Sequence, residues 1–444
     1  MRLSLLQIME VTGGGEVGGT QVGNTFSTFH TDSREVAQGG VFFALKGSEK
    51  DGHQFVADAV KRGAAAVVVD RRTDIASGIA EVVVPDTWAA LYALASFVLE
   101  KVKPLVVGVT GSNGKTSTKE MAAAALGARH KVLRTTGNLN TETGVPLTIL
   151  KLEPSHTALV VEMGLQRAGD IGRLVSLAKP QIGVITNIGV VHMEFFESQE
   201  ALARSKGELV AGLPASGRAV LNADDSFFPL LALLAAAPVS TFGAAAGHFR
   251  VEGYRALPDG GCEFSVLGVP VRLALGGRHQ ALNAAAALAA ADAAGVAIAE
   301  GAPALSEVSI EHRLEEKRTA DGVIILDDAY NASPESMLAA FETVRGMHRG
   351  GRLLAVLGHM GELGSLADQT HVLVGQEAKR TFDSIAVVDT PLGRVLARAA
   401  EAELVADNAA AAQWVRRQAR PGDVVLVKAS HSRRLDEVVA ELMT

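Results

Sequence analysis

Residues 106–120 read VVGVTGSNGKTSTKE. With Leu105 in front, the run LVVGVT has the unbroken apolar, β-branched character of a strand buried on both faces. GSNG makes a tight turn, and KTSTKEMAAAAL is composed mostly of good helix formers. In a strand–loop–helix order a glycine loop gains a chemical meaning. Gly111 and Gly114 let backbone N–H groups approach phosphate oxygens, and the helix N-terminus adds its partial positive charge. The expected nucleotide contacts are Thr110, Gly111, Ser112, Asn113, Gly114, Lys115, Thr116 and Ser117. Lys115 would reach the β- and γ-phosphates, and the Thr116 hydroxyl would ligate Mg²⁺. The local form is TGxxGKT: Val109 stands where the longer phosphate-loop pattern has its first glycine. Motors and small GTPases normally carry that longer pattern.

Working outward, the chain divides by pattern into three α/β regions. Residues 1–103 hold the short runs VFFAL, AAVVV and AEVVV between glycine turns. Residues 104–310 alternate strand-like runs (TALVVEMG, QIGVITNIG, RAVLNADD) with helical stretches, which predicts a mostly parallel sheet flanked by helices. A β-meander is expected over 247–275. Residues 311–444 restart the alternation (GVIILDDAY, RLLAVLG, SIAVVD, DVVLVKAS) in the manner of a Rossmann-like domain.

At 444 residues the chain is too long for one core. Hydrophobic residues at 48% and charged residues at 20% suit an ordinary soluble globular protein. A net charge of −7 gives no pull toward nucleic acid or anionic membrane. The single cysteine, Cys262, excludes an internal disulfide and a cysteine zinc cluster. No apolar run is long enough for a membrane span, so the expectation is a cytoplasmic protein without membrane insertion.

Further segments extend the reading. TTGNLNTETGVPLTIL (135–150), VVEMG (160–164), TNIGVVHMEFFES (186–198), SKGELVAGLP (205–214), GRHQALNAAAA (277–287), DDAYNASPESM (327–337), VLGHMGELG (356–364) and VLVKASHSRRLDEVV (425–439) follow in order. FSTFHTDSREVAQGGVFFALKGSEKDGHQFV precedes them. Taken as an ensemble, with TGSNGKT, these segments resemble the Mur ligases, which build the peptide of bacterial cell-wall precursors. The match is nearest to the members that add D-Ala-D-Ala to UDP-N-acetylmuramoyl-tripeptide. Departures from that pattern are Thr141 for Asn, Thr143 for Ile, His359 for Asp, Ala429 for Gly and His431 for Arg.

The resemblance implies an ATP-dependent amide ligase that acts through an acyl phosphate and works as a monomer. It makes the N-terminal region a uridine-nucleotide-binding domain, the middle region the ATP domain, and the C-terminal region the domain that receives the dipeptide and closes on ATP. It implies two Mg²⁺ ions held by Thr116, Glu162, His192 and Lys206, with Lys206 carbamylated by CO₂. Catalytic roles fall to Lys115, Asn138, His192, Lys206 and Arg313. Asn283, Arg313, Asp328, Tyr330 and Asn331 would contact ATP. Asp32, Ser33, Arg34, Lys46, Gly47, Asp51 and His53 would meet the uridine nucleotide. Asn138, Asn140, Thr141, Lys428 and Ser430 would bind the remaining substrate groups.

The same residues admit plainer readings. Glu162 and His192 stand at strand ends, and Lys206 reads equally as an exposed helix lysine. Asn283 opens an alanine-rich helix as its cap, and Asn331 beside Pro334 fits a turn. Two other functions compete. An amino-acid-adding relative of the tripeptide-synthetase kind normally carries DNPR, absent here. A non-catalytic P-loop binding protein would not need the ligase segments.

Overall fold

The computed structural model describes every residue except 17–23, 48–49, 74–77, 192, 258–259 and 348–349. The chain packs as two compact units. The first comprises Met1–Gly108, His130–Gly164 and Asp170–Gln181, and the second Val109–Arg129, Leu165–Gly169 and Ile182–Thr444. The chain passes from one to the other inside the strand Leu105–Thr110, just before the phosphate loop.

In the first unit a five-stranded sheet runs in the order Gly15–Glu16, Ala80–Val83, Ala66–Val69, Val41–Phe43, Phe29–His30. All pairings but the first are parallel. The three apolar runs noted in the sequence are its central strands. Their side chains Phe42, Val67 and Val69 pack with Val56 and Ala59 of the helix Val56–Lys61. The helix Thr87–Val102 starts where Asp86 accepts the Trp88 and Ala89 N–H groups, a regular N-cap. The same unit holds a parallel pair, Val132–Arg134 with Ala158–Glu162.

In the second unit Ile182–Ile185, Arg218–Asn222 and Val239–Gly243 run parallel. The predicted meander follows as the antiparallel strands Phe249–Ala256, Cys262–Val266 and Val269–Leu273. The helix Arg278–Ala293 is buried along most of its length, which its alanines permit because they bring backbones close.

The C-terminal part of that unit forms a separate six-stranded sheet. Its order is Glu315–Arg318, Ile324–Asp327, Val424–Lys428, Leu353–Leu357, Ser384–Val388, Glu403–Val405. Only the first pairing is antiparallel. Helices Pro334–Gly346, Ala367–Thr381 and Pro391–Ala400 cover one face. Asn408–Gln418 and Asp436–Leu442 cover the other. Helices therefore change face on either side of Val424–Lys428. In open α/β sheets such a reversal leaves crevices beyond the C-terminal strand ends, where ligands bind.

Candidate functional site

The phosphate loop is held from behind by the segment that follows Ile182–Ile185. Ser112 N–H donates to Asn187 O at 2.9 Å, and Asn113 N–H to Asn187 Oδ1 at 3.0 Å. The Thr186 hydroxyl and Asn187 Nδ2 donate to Asn113 O at 2.5 and 3.1 Å. Gly111 has φ 148° and Gly114 φ 78°. A Cβ at Gly111 would run into the Thr186 hydroxyl, and one at Gly114 into the Asn283 amide, so both positions require glycine for space as well as conformation. No side chain caps the helix Lys115–Leu126, whose first N–H groups face the loop. The Ser112 hydroxyl is buried and has no hydrogen-bond partner among the described residues. These features fit an anion.

Two cations converge on the same carbonyl. Lys115 Nζ donates to Gly111 O at 2.9 Å and Ser112 O at 3.0 Å. Lys206 Nζ donates to Gly111 O at 3.0 Å. Lys206 is 1% exposed, which corrects the reading of a solvent-facing helix lysine. Burial, and then the charge of Lys115, hold its pKa well below the ordinary lysine value. Its helix, Gln199–Ala211, buries Leu202, Ser205, Lys206 and Leu209 on one face, so the lysine sits on the packed side.

Beside the loop lies a cavity of about 330 Å³. Asn113, Gly114 and Ser117 line it from the phosphate loop, Asn283 and His279 from the alanine-rich helix, and Arg313, Asp328, Glu335 and Lys428 from the C-terminal region. Arg313 follows a backbone flanked by left-handed residues, His312 (φ 57°) and Leu314 (φ 52°). Its guanidinium lies over the Tyr330 ring at 4.2 Å, with Nε buried and lacking a hydrogen-bond partner among the described residues. Asp328 and Lys428 end adjacent parallel strands and pair at 2.6 Å while nearly fully buried. Burial raises the Asp328 pKa and lowers that of Lys428, each opposed by the partner's charge. Lys428 also donates to Asn331 O at 2.9 Å. Asn331 Oδ1 accepts from Ala332 N at 2.9 Å, the local turn contact that the sequence suggested.

Asn283 lies well inside the helix Arg278–Ala293, whose N-cap is Gly277. The cap reading is therefore corrected. Its Nδ2 donates to Gln280 Oε1 at 3.1 Å, which turns the amide toward Gly114.

The sequence reading missed several residues here. His279 lines the cavity, and burial followed by the charges of Lys428 and Arg313 lowers its pKa to about 4. Glu335 Oε1 accepts from Val190 N at 3.1 Å and Oε2 from Asn113 Nδ2 at 3.3 Å. Ser333, which caps the helix Pro334–Gly346, donates to Asn113 Oδ1 at 2.7 Å. Asn113, expected at the nucleotide, thus has its side chain committed to the C-terminal region. The quoted motif TNIG contained Thr186 and Asn187, but its strand-end histidine drew the inference instead.

In the first unit Glu162 ends the strand Ala158–Glu162 and is 2% exposed. Its Oε1 accepts from Asn140 Nδ2 at 2.8 Å, and its N–H donates to Thr135 Oγ1 at 3.1 Å. Asn138 sits on the same loop, its carbonyl accepting the Asn140 N–H at 2.8 Å. The two departures, Thr141 and Thr143, pair with each other through hydroxyls at 3.2 Å. Of the proposed metal ligands, Glu162 belongs to the first unit and Thr116 and Lys206 to the second. His192 lies outside the described residues.

The N-terminal motif residues engage one another. Asp32 caps the turn Ser33–Glu35 and grips Arg34, with Nε to Oδ1 at 2.9 Å; Ser33 is buried. Lys46 and Asp51 form an isolated antiparallel β-bridge, Gly47 N–H donates to Lys50 O at 2.9 Å, and Trp88 Nε1 donates to Lys46 O at 3.0 Å. Asp51 accepts from the His53 ring at 2.6 Å and from Arg71 at 2.6 Å. The Arg71 contact, then the His53 N–H and ring, hold the Asp51 carboxyl well below the usual range. His53 Nε2 lies 3.1 Å from the Asp70 N–H.

A phosphate loop with an uncapped helix, crowded cations and an adjoining cavity closed by a Rossmann-like sheet defines a nucleotide-dependent α/β enzyme. Comparison with known proteins narrows the class. Residues 109–291 match the Mur ligase middle domain, 312–431 the Mur ligase glutamate ligase domain, and 26–98 the Mur ligase family catalytic domain. The UDP-N-acetylmuramoyl-tripeptide–D-alanyl-D-alanine ligase of Bacillus subtilis is 36% identical over 93% of this chain and 92% of its own length. The enzyme of that name from Escherichia coli is 34% identical over 99% and 98%. A crystal structure of MurF from Acinetobacter baumannii superposes with a TM-score of 0.89 at 29% identity, covering 100% and 99% of the two chains. MurF ligase from Thermotoga maritima, solved with ADP, gives 0.83 at 31% identity over 94% and 97%. The chain belongs to the Mur ligase family.

Proposed function

We infer that the chain is an ATP-dependent ligase that joins D-Ala-D-Ala to UDP-N-acetylmuramoyl-tripeptide in peptidoglycan precursor synthesis. One observation carries the chemistry: a phosphate cradle in which Lys115 and Lys206 share the Gly111 carbonyl beside a cavity. A carboxylate oxygen of the tripeptide attacks the γ-phosphorus, and ADP leaves with the broken bond's electrons. The dipeptide amine then adds to the acyl carbon and loses a proton. Inorganic phosphate departs, carrying one substrate oxygen. Bringing two anions together demands charge neutralisation and alignment more than covalent help.

In this reading Lys115 leaves its loop carbonyls for the β- and γ-phosphates, and the N–H groups of residues 114–117, at the uncapped helix start, complete the cradle. Arg313, hinged between left-handed residues, turns from Tyr330 to the phosphates. Asn283 and Asp328 hold the nucleoside end. Asn138 positions the acyl group, and the loops around Asp32 and Asp51 take the uridine nucleotide. Thr116, Glu162, His192 and Lys206 are the proposed holders of Mg²⁺, with Asn140 orienting Glu162. When bound, Mg²⁺ neutralises charge on the phosphate oxygens. Lys206 is proposed to add through its neutral nitrogen to CO₂, releasing a proton and turning a buried amine into a carboxylate-like ligand. Its burial against a carbonyl, with Lys115 as neighbour, favours the neutral amine such a step requires. Among the described residues no helix is long and apolar enough to cross a membrane. The cytoplasm is the proposed location.

Phosphate release with UDP-N-acetylmuramoyl-tripeptide tests the assignment. Release with D-Ala-D-Ala and none with free amino acids is expected. Release with a free amino acid would transfer the chain to the amino-acid-adding branch.

A further inference from the structure

The helices that cover the sheet change face on both sides of the strand Val424–Lys428, a reversal that opens a crevice beyond the strand's C-terminal end on either side. On one side it meets Asp328, next to the cavity already described. On the other it meets Leu353–Leu357, and the chain there continues into Gly358 and His359. Gly358 N–H donates to Lys428 O at 3.0 Å, and Ser430 N–H to His359 O at 3.1 Å, so this second crevice is stitched by backbone.

The basic side chains of residues 428–434 divide sharply. Lys428 is committed to Asp328 at 2.6 Å. His431 leans on the Tyr330 ring at 5.8 Å and donates its N–H to Asn331 Oδ1 at 3.4 Å, so it faces the first crevice. Arg434 pairs with Glu437 at 2.8 Å in solvent. Arg433 makes no ion pair among the described residues, and its Nε is buried without a hydrogen-bond partner. Its stem packs at the second crevice, where a Cβ on Gly358 would sit 3.4 Å from Arg433 Cγ. Asn408 Nδ2 donates to the carbonyls of Arg433 and Arg434, both at 3.1 Å, and fixes the turn that presents it. The Arg433 charge also contributes, after burial, to lowering the His359 pKa.

A buried guanidinium nitrogen left unpaired is costly, and its planar fork matches a carboxylate. We propose that Arg433 binds the C-terminal carboxylate of the incoming dipeptide in the crevice beside Gly358 and His359, a specificity role that rests on the dipeptide-adding reading above. D-Ala-D-Ala carries one carboxylate.

The test compares D-Ala-D-Ala with its C-terminal amide in the full-length enzyme. Wild type should prefer the acid by about 30-fold in kcat/KM, the scale of a charge-assisted pair. Arg433→Gln should bring the two within about 3-fold by raising KM for the acid, with KM for ATP unchanged. Arg433→Lys should restore part of the preference, and Arg434→Gln should keep all of it. A merely structural arginine would not move the acid-to-amide ratio. Wild-type preference retained in Arg433→Gln overturns the proposal. A wild type that uses neither acid nor amide overturns instead the reading of dipeptide addition.

Discussion

Asp51 in the first unit and Lys115 in the second each stand beside a glycine after a strand, yet their surroundings are opposite. Asp51 is satisfied from within its own motif: His53 and Arg71 take its two oxygens, and Gly52 fits where a Cβ would strike the Leu45 backbone. Lys115 is parked. It bends back onto two loop carbonyls and shares one with a second lysine, beside a helix end that no side chain caps. The first loop uses charge to fix its shape. The second holds donors and cations together at an energetic cost that an anionic ligand would remove.

The largest expected effect lies on the second loop. Lys115→Ala should lower the rate of amide synthesis by about a thousandfold or more while leaving the thermal melt nearly unchanged. A large loss of stability with little loss of rate would erase the contrast. Next comes Lys206→Ala, expected to cost about a hundredfold in rate. Short carboxylic acids should partly restore the variant if the lysine acts as a carbamate. Full activity in the alanine variant removes Lys206 from the mechanism. The smallest effect is on the first loop. Asp51→Asn should lower the melting temperature by a few degrees and raise KM for the uridine substrate a few-fold, with KM for ATP unchanged. A change confined to KM for ATP would contradict the separation of roles.

The sequence made the phosphate loop legible because every part of it is local: the strand, the turn glycines and the helix are contiguous. Val41–Phe43, Ala66–Val69 and Ala80–Val83 were legible for the same reason, as apolar runs between turns. What stayed hidden arrives from far along the chain. Thr186 and Asn187 act by clasping the Asn113 carbonyl with their side chains, a contact between residues far apart in the chain that no local pattern announces. Glu335 reaches the loop only because Ser333 starts a helix against it. His279 looks like any helix-start histidine until Lys428 and Arg313 surround it. Asn283 was misread as a cap because the helix begins earlier, at Arg278, before the run of alanines that announces it. Lys206 was readable as exposed because SKGEL is polar, although the packed face of its helix includes that lysine.

The account's central claim is that ATP activates the tripeptide's acid for capture by an amine. Substrate labelled with oxygen-18 in its terminal carboxyl group tests it most directly, with inorganic phosphate analysed by mass spectrometry after turnover with D-Ala-D-Ala. The account predicts one labelled oxygen in each phosphate released. Unlabelled phosphate accompanying amide formation would contradict it.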